Sequence, residues 1–290
     1  MNHLLRELAP ISDKGWALID EEARDRLTPG LAVRKLTDFA GPKGWTYSAT
    51  NLGRTEGAGA GPVDEVSAIQ RRVLPLIELR ADFSISRAEL RDGDRGALDV
   101  DFASLDAAAQ RMAVAENVAV FHGFTRAGMV GICDACAHDT ITLADEFDQY
   151  PRHVAKAVEL LLEAGIAGPY GLALGSEGYT GVVETTEHGG YPVFEHLRHI
   201  LNGPIVWAPG VRGAVVVSLR GGDFLYESGQ DLAIGYDRHD GDTVQLYIEE
   251  SFSFRVATPE AAVALDGTGT ARPSRRPAGR SSRRPRSRTQ

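Results

Sequence analysis

Two cysteines, Cys133 and Cys136, with His138 close behind them, are the first residues whose spacing could support metal binding or redox chemistry. A structural zinc site needs four ligands, and no second Cys-x-x-Cys or suitable histidine pair accompanies this one. A redox pair usually opens a helix directly after a strand, whereas this pair follows the turn-rich segment 128–131. The pattern favours loop cysteines without a chemical role, and a Cys-x-x-Cys oxidoreductase is kept as an alternative.

Two glycine-rich segments have the composition of catalytic or phosphate-binding loops but lack the required residues. No Gly-Lys-Ser/Thr follows the segment 57–61, so a flexible loop is favoured over a phosphate loop. The run Gly175-Ser176-Glu177-Gly178 comes nearest to the Gly-x-Ser-x-Gly turn of serine hydrolases, and its spacing is wrong. The sequence thus offers little support for a protease, which is a further alternative.

Acidic and histidine side chains cluster between residues 184 and 199. Glu184, Glu187 and His188 could perform acid–base chemistry, but the glycines and the proline beside them are typical of a loop tip. His196 and His199 lie three residues apart and could bind a metal from one helix face, but no third ligand is evident nearby, so an exposed surface is favoured. Residue chemistry alone nominates no active site, which favours a protein that acts through assembly.

Charge is distributed unevenly along the chain. The 290 residues carry a net charge of −9, but the segment 266–290 alone carries +7, which leaves −16 on the rest. A body that acidic is a poor nonspecific ligand for nucleic acid, whereas the tail is either an inert extension or a nonspecific, salt-sensitive contact for nucleic acid. Its eight arginines are Arg272, Arg275, Arg276, Arg280, Arg283, Arg284, Arg286 and Arg288.

Composition excludes several classes of protein. No run of about 18 apolar residues is present, so we expect no transmembrane helix. The first ten residues lack the apolar stretch of a secretory signal, and two cysteines cannot form a disulfide framework. We therefore expect a cytoplasmic protein with one or two globular domains.

The N-terminal third includes a long extended segment without an obvious partner in the chain. A helix begins after Ser12, a good N-cap, and carries an apolar stripe. Predicted strands lie at 31–39, which carries Arg34 and Asp38, and at 46–50, with a flexible stretch at 53–65. The extended run 68–85 contains Pro75, which is typical of an edge strand or a projecting arm. A two-stranded arm is unstable alone, so we expect it to pack on another molecule.

The remaining two thirds mix helices and strands without regular alternation, which indicates an α+β fold. Apolar stripes predict long helices at 102–121 and 153–164, and a helical stretch near 193–201. Predicted strands lie at 170–174, 205–207, 214–218, 232–234, 243–248 and 251–257.

Seven short strings occur in the same order as in one family of self-assembling proteins. They are APISDKGW (9–16), RKLTD (34–38), GWTY (44–47), LPLIELR (74–80), GPY (168–170), GGDF (221–224) and GQDLAIGY (229–236). Through these strings, which extend over residues 1 to about 265, the chain resembles the encapsulin shell proteins, the linocin-like family that builds bacterial nanocompartments.

The resemblance implies the fold of tailed-phage major capsid proteins of the Hong Kong 97 type, with a peripheral domain, an extended arm and an axial domain around a five-fold axis. The implied segments are 1–43 (N-terminal helix and start of the peripheral domain), 44–90 (arm), 91–130 (peripheral domain with the spine helix), 131–222 (axial domain), 223–265 (return to the peripheral domain) and 266–290 (tail without order of its own).

The resemblance also implies a function and partners. The chain would be a shell subunit rather than an enzyme, and copies of it would close into an icosahedral shell of about 60 subunits. Such shells enclose a cargo protein with a C-terminal targeting peptide, which in this family is a dye-decolourising peroxidase, a ferritin-like protein or a haemerythrin-like protein. Any haem or iron would belong to that cargo.

Two sets of site residues follow from the resemblance. The cargo peptide would lie in a groove between the N-terminal helix and peripheral-domain strands, and the positions that match this groove are Trp16, Ile19, Leu27, Arg34, Asp38, Leu232 and Ile234. The loop that would line the five-fold pore carries Glu184, Glu187 and His188, which would form a mildly acidic ring.

The chain departs from its relatives in two places. Some relatives stack a flavin on a tryptophan in the arm, but the segment 83–90 contains no tryptophan, so we predict no flavin and no cofactor. The arginine-rich tail lies outside the family pattern. A phage-type capsid subunit that packages DNA is the alternative within the same fold.

Overall fold

The computed structural model describes residues 3–267, so the predicted tail, apart from Asp266 and Gly267, lies outside the described residues. The α-helices of this part of the chain are α1 Asp13–Gly30, α2 Val33–Leu36, α3 Arg87–Arg95, α4 Ala103–His122, α5 Ile132–Ala135, α6 Tyr150–Glu163, α7 Ser176–Glu184 and α8 Val193–Leu201. None of these helices is both long and apolar enough to cross a membrane.

The strands form two five-stranded sheets and one separate hairpin. They are β1 Asp38–Ala40, β2 Ala49–Ala60, β3 Ser67–Pro75, β4 Ile77–Ser86, β5 Ile141–Thr142, β6 Tyr170–Leu174, β7 Ile205–Trp207, β8 Ala214–Ser218, β9 Phe224–Ser228, β10 Ala233–His239, β11 Thr243–Val256 and β12 Ala262–Asp266. The first sheet contains β1, β4, β9, β10 and β11, and the second sheet has the order β5-β12-β8-β6-β7.

The helices α1 and α4 pack together on the first sheet. Ser12 caps α1 by accepting a hydrogen bond from the N–H of Gly15 at 2.9 Å. The stripe predicted on α1, which is Trp16, Ile19, Ala23 and Leu27, is buried. Small residues on α4, including Ala108 and Ala109, let α1 approach closely. Both helices and the strands β4, β10 and β11 therefore share one apolar core.

A second and larger core surrounds the second sheet. Every residue of β6 and β8 is buried, as expected for strands covered on both faces. Helices α6 and α8 pack against each other over this sheet. These strands and α8 begin and end at the predicted residues. β12 pairs with β8 and β5, so residues 262–266 belong to the second sheet.

The prediction of a strand at 31–39 was wrong for most of this segment. Residues 33–36 form the short helix α2, and only 38–40 form a strand, β1, which pairs in parallel with β9. The cause is Asn117 on α4, whose Oδ1 accepts hydrogen bonds from the N–H groups of Ala32 (3.1 Å) and Val33 (3.4 Å). This distant side chain satisfies the donors that begin a helix.

The predicted arm, 44–90, divides into a hairpin and a sheet strand. β2 and β3 pair with each other and with no other strand among residues 3–267, whereas β4 pairs along ten residues with β11 and is part of the first sheet. The stretch expected to be flexible, 53–65, is largely the strand β2 and the turn after it. Residues 51–73 are mostly exposed, so this part of the hairpin projects from the body of the subunit.

Glu227 on β9 holds the base of this hairpin. Its carboxylate accepts hydrogen bonds from Lys43 Nζ (2.6 Å), Tyr47 Oη (2.8 Å) and Thr50 Oγ1 (2.9 Å). Burial acts to raise the pKa of Glu227, but these three donors outweigh it, and the pKa is lowered. The hairpin is thus anchored at one end and free along the rest of its length.

Candidate functional site

The structure brings most of the predicted cargo-groove residues together. Trp16, Ile19 and Leu27 on α1 meet Ile234 on β10 within one apolar core, and Leu232 packs against its edge. The first four side chains are buried by the chain itself, whereas Leu232 is half-exposed. The buried residues therefore form the floor of this region, and Leu232 supplies its accessible apolar surface.

The N-terminal segment 3–11 covers part of the same region, which sequence reasoning missed. The carbonyl of Leu4 accepts a hydrogen bond from the N–H of Tyr236 at 2.8 Å, and Leu5 and Ile11 pack against the core. The guanidinium of Arg6 lies 3.9 Å from the ring centre of Trp16. The apolar residues Leu4, Leu5 and Ile11 were the signs in the sequence that this segment packs on the domain.

Arg34 is engaged by three carboxylates of its own chain. Its Nε donates to Glu116 Oε2 (2.9 Å), Nη1 to Asp231 Oδ1 (2.7 Å) and Nη2 to Glu250 Oε2 (3.1 Å). Tyr226 Oη lies 3.2 Å from both Glu116 Oε2 and Glu250 Oε2. We call these five side chains the Arg34 cluster. Because it already occupies the guanidinium, Arg34 has little capacity left for a ligand.

Burial acts to lower the pKa of the Arg34 guanidinium, but Glu116, Tyr226 and Glu250 outweigh it, and the pKa is raised. Arg34 is therefore a permanent positive charge inside the subunit.

Asp38, the other charged residue predicted for the groove, is not part of the Arg34 cluster. It is exposed on β1 and its Oδ2 accepts a hydrogen bond from the N–H of Gly222 at 2.7 Å.

The three predicted pore residues lie at the end of α7 and in the loop that follows it. Glu184 is the last residue of α7 and is exposed. Glu187 Oε1 lies 2.7 Å from Nδ1 of His196 on α8, which fixes the loop to that helix. His188 projects fully into solvent, and its Nδ1 lies 3.8 Å from Asp148. The end of α7 and this loop thus carry two acidic groups and one histidine.

The histidines and cysteines that suggested metal binding do not converge. His199 Nδ1 contacts the carbonyl of Glu195 on its own helix at 3.0 Å, and His138 Nε2 contacts the carbonyl of Glu260 at 3.0 Å. No group of three His, Cys, Asp or Glu side chains within residues 3–267 could hold a metal ion.

Cys133 lies on α5 and Cys136 directly after it; neither forms a disulfide, and both pack against the larger core. Burial raises the pKa of the Cys136 thiol to about 12. We expect Cys136 to resist alkylation by iodoacetamide at pH 8 in the native protein, because only the thiolate reacts, and to react at the usual rate in denaturant. Mass spectrometry of the labelled peptides measures both rates. If Cys136 in the native protein is alkylated as fast as in denaturant, its thiol is not buried as the structure indicates.

The fold itself resembles capsid proteins. A virus-like particle from Pyrococcus furiosus matches 87% of this chain and 99% of its own, with a TM-score of 0.59 and 19% identity. The capsid protein of Myoviridae phage XM1 matches 82% of this chain and 92% of its own, with a TM-score of 0.52 and 12% identity. The two sheets, the long helix α4 and the projecting hairpin thus define a protein of the tailed-phage capsid fold.

Sequence comparison specifies the family. The family model Linocin_M18, described as encapsulating protein for peroxidase, matches residues 1–253. A type 1 encapsulin shell protein of Rhodospirillum rubrum is 47% identical over 276 residues, which cover 93% of this chain and 99% of the relative. A type 1 encapsulin shell protein of Mycobacterium tuberculosis is 40% identical and covers 91% and 99%. The chain belongs to the encapsulin shell protein family and is a structural subunit of a nanocompartment, not an enzyme.

Proposed function

We propose that about 60 copies of the chain close into an icosahedral shell around a cargo enzyme. The observation that carries this proposal is the hairpin β2–β3, which exposes Val63, Val66, Ile69 and Val73. An isolated two-stranded ribbon is only marginally stable in water, so a neighbouring copy is its natural support. Electron microscopy of the purified chain should reveal hollow particles of uniform size, and a stable monomer in every buffer would contradict the proposal.

The outer face of α4 supplies a second surface for contact between copies. Most of its accessible area is apolar. The residues that form it are Ala107, Gln110, Arg111, Val114, Ala115 and Val118. Apolar area of this kind contributes about 25 cal/mol per Å² when it is buried, and closed symmetry repeats that gain at every subunit.

The cargo we propose is a peroxidase or an iron-storage protein of ferritin-like or haemerythrin-like type, with a C-terminal targeting peptide. The family description, which names a peroxidase, supports the first of these. Haem or iron would belong to the cargo, and we assign no cofactor to the shell. Mass spectrometry of proteins that co-purify with particles from the native host identifies the cargo. Particles that carry only proteins of other classes would refute this part of the proposal.

We place the cargo peptide on the surface over α1 and the start of β10, with Leu232 as its accessible apolar contact. Leu232→Lys should reduce cargo loading about tenfold or more, since burying one leucine contributes about 1.5–3 kcal/mol, and leave the particles intact. The ratio of cargo to shell protein on a denaturing gel measures loading. Leu162→Lys, at an exposed leucine of α6, is the matched control and should load normally. Normal cargo loading of Leu232→Lys would show that the cargo peptide does not bind to this surface.

The loop of Glu184, Glu187 and His188 is proposed to line a five-fold pore. Five copies of two carboxylates would favour the passage of cations over anions. We also propose that the shells reside in the cytoplasm, where the cargo is synthesised.

A capsid subunit that packages DNA is the second candidate, because the fold is shared with phage capsid proteins. The net charge of −16 on the body disfavours it, since a wall that lies against DNA benefits from positive charge. Nuclease treatment of purified particles separates the two. Protected DNA inside them would favour packaging, and its absence together with a protein cargo favours the nanocompartment.

A further inference from the structure

The Arg34 cluster holds more carboxyl groups than cations, and two of these carboxyls are inaccessible to water. The carboxyls of Glu116 and Glu250 are fully buried, and within residues 3–267 the cation that pairs with both is Arg34. The third carboxylate, Asp231, is about 36% exposed and can be solvated by water. Two ionised carboxylates beside a single guanidinium would leave one net negative charge buried, which costs several kcal/mol.

Two oxygen atoms in the cluster have no hydrogen-bond partner. They are Glu116 Oε1 and Glu250 Oε1, one on each buried carboxyl. The other oxygens of these two groups are already engaged by Arg34 and Tyr226. Buried acceptors are normally satisfied, so an unpartnered pair of this kind indicates a missing donor. The two carboxyls lie side by side, because both contact the guanidinium of Arg34 and the hydroxyl of Tyr226.

Aromatic rings close off the cluster. The ring of Tyr226 stacks on Phe39 at 5.3 Å and on Phe252 at 4.7 Å between ring centres. Across the sheet, the residue of β4 paired with Glu250 is Leu79, which brings no charge. The titratable groups that face Glu250 are therefore Glu116 from α4, Arg34 from α2, Tyr226 from β9 and, through Arg34, Asp231 from the loop before β10.

We propose that Glu116 and Glu250 share one proton, which acts as the missing donor between them and makes the junction between the spine helix α4 and the first sheet sensitive to alkali. With the proton in place, one carboxylate pairs with Arg34, the other group is neutral, and the unpartnered oxygens gain a hydrogen bond. Loss of the proton leaves two buried carboxylates in contact, which repel each other and loosen the attachment of α4 to β11.

The direction of the pH effect follows from the environment of Glu250. Burial, followed by repulsion from Glu116, raises the pKa of Glu250 well above the ordinary value of 4.5. The unfolded chain releases this proton near the ordinary value, whereas the folded chain retains it. The contribution of Glu250 to the free energy of unfolding is therefore greatest at low pH. It falls as the pH rises from about 4.5 to the pKa of Glu250 in the folded chain.

Glu250→Gln and Glu116→Gln test the proposal, because glutamine has the shape of a protonated glutamate and cannot ionise. Denaturant unfolding at fixed protein concentration, from pH 5 to pH 9, measures the folding equilibrium constant. We expect the constant of the natural protein, relative to Glu250→Gln, to fall about tenfold per pH unit until the folded pKa is passed. Equal pH dependence of the two proteins would overturn the proposal.

Infrared difference spectra of intact particles detect the proton directly. At pH 7 we expect the C=O stretching band of a protonated carboxyl in the natural protein, its loss in both glutamine variants and its retention in Asp231→Asn. This spectrum of the natural protein decides the question even if a glutamine variant fails to fold. The absence of a protonated carboxyl band at pH 7 would overturn the proposal.

Discussion

Replacing both Ile69 and Val73 with aspartate is expected to abolish particle formation and leave a folded subunit. Both side chains lie on the same face of β3, and they are 74% and 50% exposed in the single chain. If a neighbouring copy covers them, each contributes about 1.5–3 kcal/mol to the interface, and an aspartate there would in addition bury an unpaired charge. Because closed symmetry repeats the defect in every subunit, the effect on assembly is far larger than at one contact.

Size-exclusion chromatography and electron microscopy at micromolar concentration measure this effect, and circular dichroism verifies that the subunit is folded. The hairpin is exposed and is anchored through Glu227, so its tip can change without loss of either core. Ser67→Asp introduces one aspartate at an exposed polar position of the same strand and should assemble normally. Intact particles from the double aspartate variant would show that the hairpin contributes nothing to assembly.

Arg34→Met should destabilise the subunit by about 3–5 kcal/mol, because it removes the cation that pairs with both Glu116 and Glu250. The natural guanidinium is only 19% exposed, so water cannot replace it fully. Denaturant unfolding at fixed protein concentration measures the loss. Arg198→Met, at an exposed arginine of α8, is the control and should change the free energy of unfolding by less than about 0.5 kcal/mol.

Removal of the two buried carboxylates should rescue Arg34→Met. In a chain that also carries Glu116→Gln and Glu250→Gln, the two carboxylates no longer need a counter-charge, so Arg34→Met should cost far less. A large loss in both backgrounds would mean that Arg34 acts through packing, including its contact at 5.1 Å with the ring of Phe39, rather than through its charge. The comparison also separates a structural role of Arg34 from the predicted role in cargo binding.

Local patterns were sufficient to predict much of the fold. The strands 170–174, 205–207 and 214–218 and the helix 193–201 coincide with the structure, because each is an apolar run or an apolar stripe with clear stops at its ends. The family resemblance then supplied the arrangement of these elements, which periodicity cannot give. The fold class and the family are both confirmed.

The errors arose where a distant side chain decides the local structure. α2 forms because Asn117, some 85 residues away, satisfies its first N–H groups. β11 is one continuous strand, although 243–248 and 251–257 were predicted as two, because the polar residues between them have partners elsewhere in the fold. Glu249 contacts His3 at 2.7 Å, and Glu250 contacts Arg34. No local pattern reveals such partners.

The candidate site illustrates the same limit. The resemblance selected side chains that do converge, since Trp16, Ile19, Leu27 and Ile234 share one core. It could not reveal how much of each remains accessible, or that residues 3–11 lie over the same surface. Their role in cargo binding is still a prediction, as is the role of the pore loop.

The long strand β11 has a consequence for how the subunit comes apart. Val244, Leu246 and Ile248 belong to the smaller core, and Phe252 and Phe254 belong to the larger one. A single strand thus runs through both cores, with hydrogen-bonded neighbours along both of its edges. When one core opens, β11 loses its support there, and the other core packs on the same strand. We therefore expect the amide hydrogens of both cores to exchange in one cooperative event, and those of the hairpin β2–β3 to exchange independently.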